Sequence, residues 1–363
     1  MYSHAAFSRP QTPAAKCMHV MRLRELTSRS ELVEATGLSQ PTITRAVAAL
    51  TEAGLVTERT DLAQPQGRGR PIIPLGLGEP NTIHAGVSVG TMSTYVALFD
   101  LRGRCLSSVD IDIPVSDLTE DDFIQHVMAG LNRLTAGIGR GLSTIGVTTS
   151  GTVTTSGTVY APNLGWRGVD IEKQMREQFG VPVVVTSAAS AIVGSEVQSR
   201  DDLDTRRVMA LFADDSIGCA IADGTTVRPL AIDREDLTTQ GLIDALASPG
   251  VGTLHDAVAT AARNPHTREV LNARAHDLGV LAAELIASHS PDTVVVAGSA
   301  FIDDPAAPAV FARAVRSLLP AQTPAQTKVE LRMIPTHREV VRDIARAVAL
   351  DLVLREPLAV ASA

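Results

Sequence analysis

The chain has 363 residues, 45% of them apolar and 20% charged, a composition that excludes disordered and fibrous classes and leaves room for two or three hydrophobic cores. The formal charge of −8 is uneven: residues 1–76 carry nine basic and six acidic side chains, the remainder 23 and 34. A small basic unit on an acidic body suits nucleic-acid binding by the first part alone. No apolar run reaches the roughly 18 residues that span a bilayer. The start, "MYSHAAFSRPQTPAAK", lacks a secretory signal pattern and reads as a flexible tail over residues 1–17. Cys17, Cys105 and Cys219 lie 88 and 114 residues apart, too far for a zinc knuckle or a disulfide framework. A cytoplasmic protein without membrane partner is expected.

Residues 18–27, "MHVMRLRELT", place Val20, Leu23 and Leu26 at helical spacing. In "SRSELVEATGLSQPTITRAVAALTEAGLVTER", Ser30 can cap a short helix over 31–36 and Gly37 supplies the reversal. Ser39 can cap the following helix, with Pro41 tolerated in its first turn. Ile43, Val47 and Leu50 form that helix's buried stripe and leave Gln40, Thr42, Thr44 and Arg45 outward near its N-terminus. A strand follows Gly54, so residues 18–76 read as a winged helix-turn-helix whose second helix enters the major groove. Arg45 suits a guanine edge or a phosphate, and Gln40 and the threonines suit base edges or phosphate oxygens. In "QPQGRGRP" the ribbon tip carries Arg68 and Arg70 on glycine-rich backbone, suited to a narrow groove.

From residue 82 strands alternate with helices. A three-strand meander with turns near Gly90 and Gly103 leads to a helix in "DDFIQHVMAGLNRLTAG" and a strand in "LSTIGVTTSGTV". A helix closed by Gly180 and the strand "VPVVVTSA" complete the first half. The second half repeats the scheme, from a hairpin in "RRVMALFADDSIGCAIADGTTV" through helices over 238–289 and the strand "DTVVVAGSA" to a last helix in "REVVRDIARAVALDLVL".

Head and body together resemble the ROK family of repressors and sugar kinases. The most specific stretch is "IGVTTSGTVTTSGTVYAPNLGWRGVDI", residues 145–171, similar to the family's substrate loop. "DDSIGCAIADGT" resembles the second phosphate loop, and "HDLGVLAAELIASHSPDTVVVAGSA" the approach to the adenosine motif. The resemblance implies an α/β, actin-like fold of two lobes: lobe I over 80–187 plus 340–363, lobe II over 188–339. It also implies a homodimeric or homotetrameric regulator whose body senses a sugar or sugar phosphate.

Four departures from the family pattern bear on chemistry. Ser88-Val89-Gly90-Thr91-Met92 stands where kinases carry Asp-x-Gly-Gly-Thr-Lys. Thr186-Ser187-Ala188-Ala189-Ser190 stands where they carry Glu-Asn-Asp-Ala-Asn, whose aspartate takes the sugar proton; Ala188 accepts none. "PLAIDREDLTTQ" lacks the family histidine, and "QGLIDALASPG" lacks the zinc cysteines. No catalytic residue, metal or cofactor is therefore expected. Each lost charged partner removes a hydrogen bond worth about 1.5–3 kcal/mol, so a plain hexose should bind poorly.

Thr149, Ser150, Gly151, Asn163 and Ser187 remain as candidates for a small polar or anionic effector. Trp166 is expected to pack beside the loop, and "DREDL", 233–237, to form a solvated charged turn in which Asp233 or Glu235 is an alternative to the lost glutamate. The scattered histidines form no ligand pair. The expected partner is a double-stranded DNA operator; the alternatives are an active sugar kinase with an accessory head and a regulator without any small-molecule effector.

Overall fold

The structure is a computed structural model that describes residues 6–63, 72–200, 206–319 and 329–362. Three helices and a two-stranded ribbon form the head. Helix α1 (Pro13–Leu23) starts where Thr12 accepts from the Ala15 N–H and Pro13 fills the first position, needing no N–H partner. Helix α2 (Arg29–Thr36) opens on a reciprocal capping box between Ser28 and Glu31, and Gly37 at φ 68° ends it. Helix α3 (Gln40–Glu52) is capped by Ser39, and Ile43, Ala46, Val47 and Leu50 form its buried stripe. Strand β1 (Val56–Glu58) pairs antiparallel with β2 (Leu75–Leu77), Val56 opposite Leu77.

Two sequence expectations shift here. The first helix spans 13–23 rather than 18–27, because Thr12-Pro13 is the stronger start signal and Thr27 bridges to Leu75 beside the ribbon. The second is capped by Ser28 rather than Ser30, since only Ser28 has glutamate three residues on to complete the box.

Lobe I contains β3 (Thr82–Val89), β4 (Thr94–Phe99), β5 (Cys105–Ile111), α4 (Glu120–Ala136), β6 (Gly141–Thr149), the small sheet β7 (Thr152–Val153), β8 (Val159–Ala161) and β9 (Trp166–Val169), then α5 (Ile171–Phe179) and β10 (Val183–Ser187). Helix α6 (Ala188–Ser199) leads to lobe II: β11 (Val208–Ala213), β12 (Ile217–Asp223), β13 (Thr226–Leu230), α7 (Thr239–Leu246), α8 (Leu254–Ala261), α9 (Pro265–His289), β14 (Thr293–Ala297), α10 (Ser299–Ile302), α11 (Ala307–Leu318) and β15 (Glu330–Met333). Helices α12 (His337–Arg355) and α13 (Pro357–Ala361) close the chain.

The two five-stranded sheets have the same plan. Lobe I runs β10-β6-β3-β4-β5 and lobe II β15-β14-β11-β12-β13. In each, the first strand pairs antiparallel with the next in a meander and parallel with the strand that follows a helix. Strands β10 and β14 are buried along nearly their whole length, hence the near-continuous "VVVTS" and "TVVVA" runs.

Between the lobes lie α6 and α12, both buried over most of their length, which is why neither shows a one-sided apolar stripe. Helix α12 meets lobe I backbone to backbone: a Cβ added at Gly86 or Gly146 would stand 2.2 Å from the carbonyl oxygen of Ala345 or Val348. Beside this seam His84 Nδ1 donates to Thr144 Oγ1 (2.8 Å), which donates to the Ala349 carbonyl (3.1 Å). Burial holds the His84 imidazole neutral, its pKa pushed down to about 4, with Asp100 opposing in part.

The described part of the N-terminal tail, read from sequence as flexible, is docked. Phe7 is buried with its N–H on Asp351 Oδ1 (3.0 Å), and its carbonyl accepts from the Val227 N–H (2.9 Å). Arg9 reaches the carbonyls of Gly224 and Arg206 at 2.8 and 2.7 Å. The physical reason is twofold. The edge of β13 offers unpaired backbone groups, and Gly194 of α6 leaves room for the Phe7 ring, which a Cβ there would meet at 2.3 Å. Asp351 is also held by Arg355 at 2.9 Å, a buried pair within one turn of α12.

Candidate functional site

Two regions carry the residues singled out in the sequence. On the head, Gln40, Thr44 and Arg45 are exposed and Thr42 is half-buried, all within the first turns of α3. The apolar stripe of α3 faces α1 and α2 and turns these four outward. Thr42 Oγ1 shares a hydrogen bond with the cap hydroxyl of Ser39 (2.9 Å), and Thr44 Oγ1 donates to the Gln40 carbonyl (2.9 Å). Arg45 leans on the Pro41 carbonyl at 3.4 Å, and among the described residues no carboxylate pairs with it. A free guanidinium beside a helix N-terminus is arranged for an anionic surface. Arg29, by contrast, is engaged with Glu58 and fixes α2 to the ribbon. Arg68 and Arg70 lie outside the described residues.

In the body, the ends of β6 and β10 bring Thr149 opposite Ser187 in the parallel ladder. Just beyond, Asn163 sits in the 3-10 turn Pro162–Leu164 and donates to Ser150 Oγ (3.0 Å) and to Thr91 Oγ1 (3.4 Å). One polar cluster is thus built from three separated segments. Gly151 is required by backbone: its φ is 77°, and a Cβ would lie 2.3 Å from the Tyr160 carbonyl oxygen. Thr149 is buried, and its hydroxyl is turned onto the Ser150 carbonyl (3.2 Å).

Ser187 has a structural task. Its Oγ accepts from the Ser190 N–H (3.2 Å) and donates to Ser190 Oγ (3.0 Å), capping α6. Ala188 follows as the first helical residue and is buried. Thr186, Ser187 and Ser190 give that strand-to-helix corner hydroxyls, and Ala188 and Ala189 methyls. Trp166 is buried edge-on to Phe123 (centroids 4.9 Å apart), packed and not offered to a ligand. In the 233–237 turn, Arg234 grips Asp236 at 2.9 and 2.8 Å on the surface.

In lobe II, Asp214 follows the end of β11 in the stretch that resembles the second phosphate loop, and it was not among the candidate site residues. It is half-buried, and desolvation raises its carboxyl above the usual range. Its Oδ1 accepts from the Ser299 N–H (3.4 Å), where Gly298 allows β14 to pass within 2.1 Å, measured from a would-be Cβ, of the Ala213 carbonyl oxygen. Among the described residues no three His, Cys, Asp or Glu side chains are grouped to hold a metal ion.

Two lobes of duplicated topology around a crossing helix pair define an actin-like α/β protein, here preceded by a helical head. The ROK family model matches residues 84–228, and over that stretch the chain is similar to ROK proteins. It is 29% identical over 341 residues to the Mycobacterium tuberculosis transcriptional regulator Rv0485, covering 81% of this chain and 76% of that protein. The xylose repressor of Bacillus subtilis is 27% identical over 192 residues, half of this chain and 48% of its own. A solved ROK transcriptional regulator, homologous to the E. coli MLC protein, superposes with TM-score 0.74 at 18% identity over 97% of this chain and 99% of its own. A Streptomyces griseus ROK glucokinase matches with TM-score 0.56 at 17% identity, covering 74% of this chain and 99% of its own. No helix among the described residues is long and apolar enough to cross a membrane.

Proposed function

We propose that this chain is a DNA-binding transcriptional regulator whose kinase-like body does no phosphoryl transfer. The observation that carries the reading is the exposed start of α3, where Gln40, Thr44 and the unpaired Arg45 project beside a helix N-terminus. In this reading α1–α3 and the β1–β2 ribbon are a winged helix-turn-helix, with α3 in the major groove and Arg68 and Arg70 on the wing. A homodimer or dimer of dimers would present two heads to a palindromic operator.

The lack of catalysis rests on Ala188 at the corner where a kinase keeps its base, and on Ser88 in place of the acid of the first phosphate loop. The remaining cluster of Thr149, Ser150, Gly151 and Asn163, with the cap Ser187, suits a small polar or anionic metabolite better than a plain hexose. Its two hydroxyl-bearing strand ends and one amide carry no charge of their own. A ligand there would act by changing lobe closure, a coupling typically worth about 1–3 kcal/mol.

Genome-wide mapping of bound DNA supplies the operator. On it, Arg45→Ala should weaken binding by about tenfold or more, equivalent to about 1–3 kcal/mol. Unchanged affinity overturns the groove assignment. ATP-dependent phosphorylation of a hexose by the purified protein would overturn the inactive body.

A further inference from the structure

A further cavity lies away from the Thr149–Asn163 cluster. About 460 Å³ in volume, it lies between α6, the link from β15 into α12, and the outer face of α12. That is the size of a small-molecule site. Its floor is apolar, from Ile192 on α6 and Val340 and Ile344 on α12, all buried. Its rim is charged. Arg332 engages Glu196, and Arg346 holds Asp343 at 2.9 Å.

One end of the rim carries excess positive charge. Arg200, the extended residue just past the end of α6, has its Nε buried without a hydrogen-bond partner. Behind it stands Arg22 of α1, whose Nε is orphaned in the same way. Arg346 lies close enough to repel Arg22, adding to the burial that lowers the Arg22 pKa to about 10. Three guanidinium groups thus converge on one corner, and among the described residues Asp343 is the one carboxylate that engages any of them there. Buried N–H donors left without acceptors cost about 1–3 kcal/mol each, a cost that an incoming anion relieves.

We propose that this cavity is a binding site for a small organic anion with an apolar body. The anionic group would lie between Arg200 and Arg346, and the body against Ile192, Val340 and Ile344. The site is separate from the Thr149–Asn163 cluster and does not depend on the DNA-binding reading. Its position gives it leverage. Helix α6 packs on lobe II and α12 on lobe I, while the head is fastened at the same corner. His19 hydrogen-bonds to the Arg200 carbonyl (2.7 Å), and Arg22 to that of Gln198.

The test is isothermal titration of the full-length protein with hexanoate and phenyl phosphate, and with inorganic phosphate as the anion lacking an apolar body. Hexanoate or phenyl phosphate should bind, inorganic phosphate distinctly more weakly. Arg200→Gln and Arg346→Gln should each weaken binding by about tenfold or more, the loss of one charge-assisted bond. Asn163→Ala should leave it unchanged. Because an arginine variant can fail by misfolding, Ser199→Trp, which narrows the cavity without changing charge, should also block binding, and each variant's thermal midpoint is recorded alongside. The proposal is overturned by three outcomes: no heat from either organic probe, binding indifferent to Arg200 and Arg346 in folded variants, or binding abolished by Asn163→Ala.

Discussion

Lobe I's outer core and the core at the hinge are built from similar side chains but serve different numbers of parts. The lobe I core is local: Ile83, Val87, Phe123, Leu131, Ile145, Trp166 and Ile171 join one sheet face, α4, α5 and the small sheet that carries Asn163's turn. The hinge core is shared. Met18, Leu32, Ile43 and Leu50 of the head run without a break into Ile192 and Val193 of α6, Ala220 of β12, and Leu350 and Val353 of α12. The head therefore has no core of its own: its orientation is set by α6 and α12. A ligand at the Ser150–Asn163 cluster would act on a self-contained lobe and reach the head through the seam between its sheet and α12. A ligand between α6 and α12 touches the shared core directly.

The largest expected effect breaks the seam that ties lobe I to this hinge. Gly146→Ala places a Cβ 2.2 Å from the Val348 carbonyl oxygen. Neither backbone can retreat without opening the sheet, so the cost is more than about 4 kcal/mol, or no folded protein at all. Urea unfolding measures it, and a near-neutral result would show that α12 sits less tightly on lobe I. Next comes Phe7→Ala, which empties the space beside Gly194 and should cost about 3 kcal/mol. An unchanged midpoint would mean that the N-terminal segment does not brace the shared core.

The third effect is a pH dependence confined to the seam. His84 has a folded pKa of about 4 against an ordinary 6.5, so the unfolded chain takes the proton first. Its contribution is intact above pH 6.5 and is lost as pH falls toward 4, about 2 kcal/mol by pH 5. His84→Asn should flatten the fall in stability between pH 7 and 5, and an equally steep fall would remove His84 as its source. Asp214, raised by burial, acts with the opposite sign, since its native state takes up a proton sooner as pH falls through the carboxylate range. The smallest effect is Ser187→Ala, which removes one helix cap and should cost about 1 kcal/mol. If it instead abolishes effector binding with stability unchanged, the hydroxyl belongs to the ligand and not to α6.

The duplicated lobes were legible because each strand run and helix carries its own periodicity and punctuation. The same holds for α3, whose stripe of Ile43, Val47 and Leu50 leaves Arg45 outside without any knowledge of the rest. Less legible were roles that one stretch of sequence leaves open. Ser187, a candidate binding group, also caps α6, a task that a serine just before a helix with another polar residue three positions on already signals. Thr12-Pro13 and Ser28-x-x-Glu31 were equally readable start signals that the apolar spacing overshadowed. Others had no local trace. Phe7 packs on residues at 194, 227 and 351, and the hinge cavity takes its lining from stretches more than 130 residues apart. Such sites exist only in the folded chain.

The buried contact of Phe7 with Asp351 also sets an order of assembly. Phe7 is synthesised 344 positions ahead of the Asp351 that receives its N–H. Helices α1 to α3 can form from local contacts while synthesis continues. The segment that fastens them cannot be seated until α12 has been made and has found its place between the lobes. Final alignment of the head thus waits on α12, and without that helix α1 to α3 have nothing to complete their core or hold their direction.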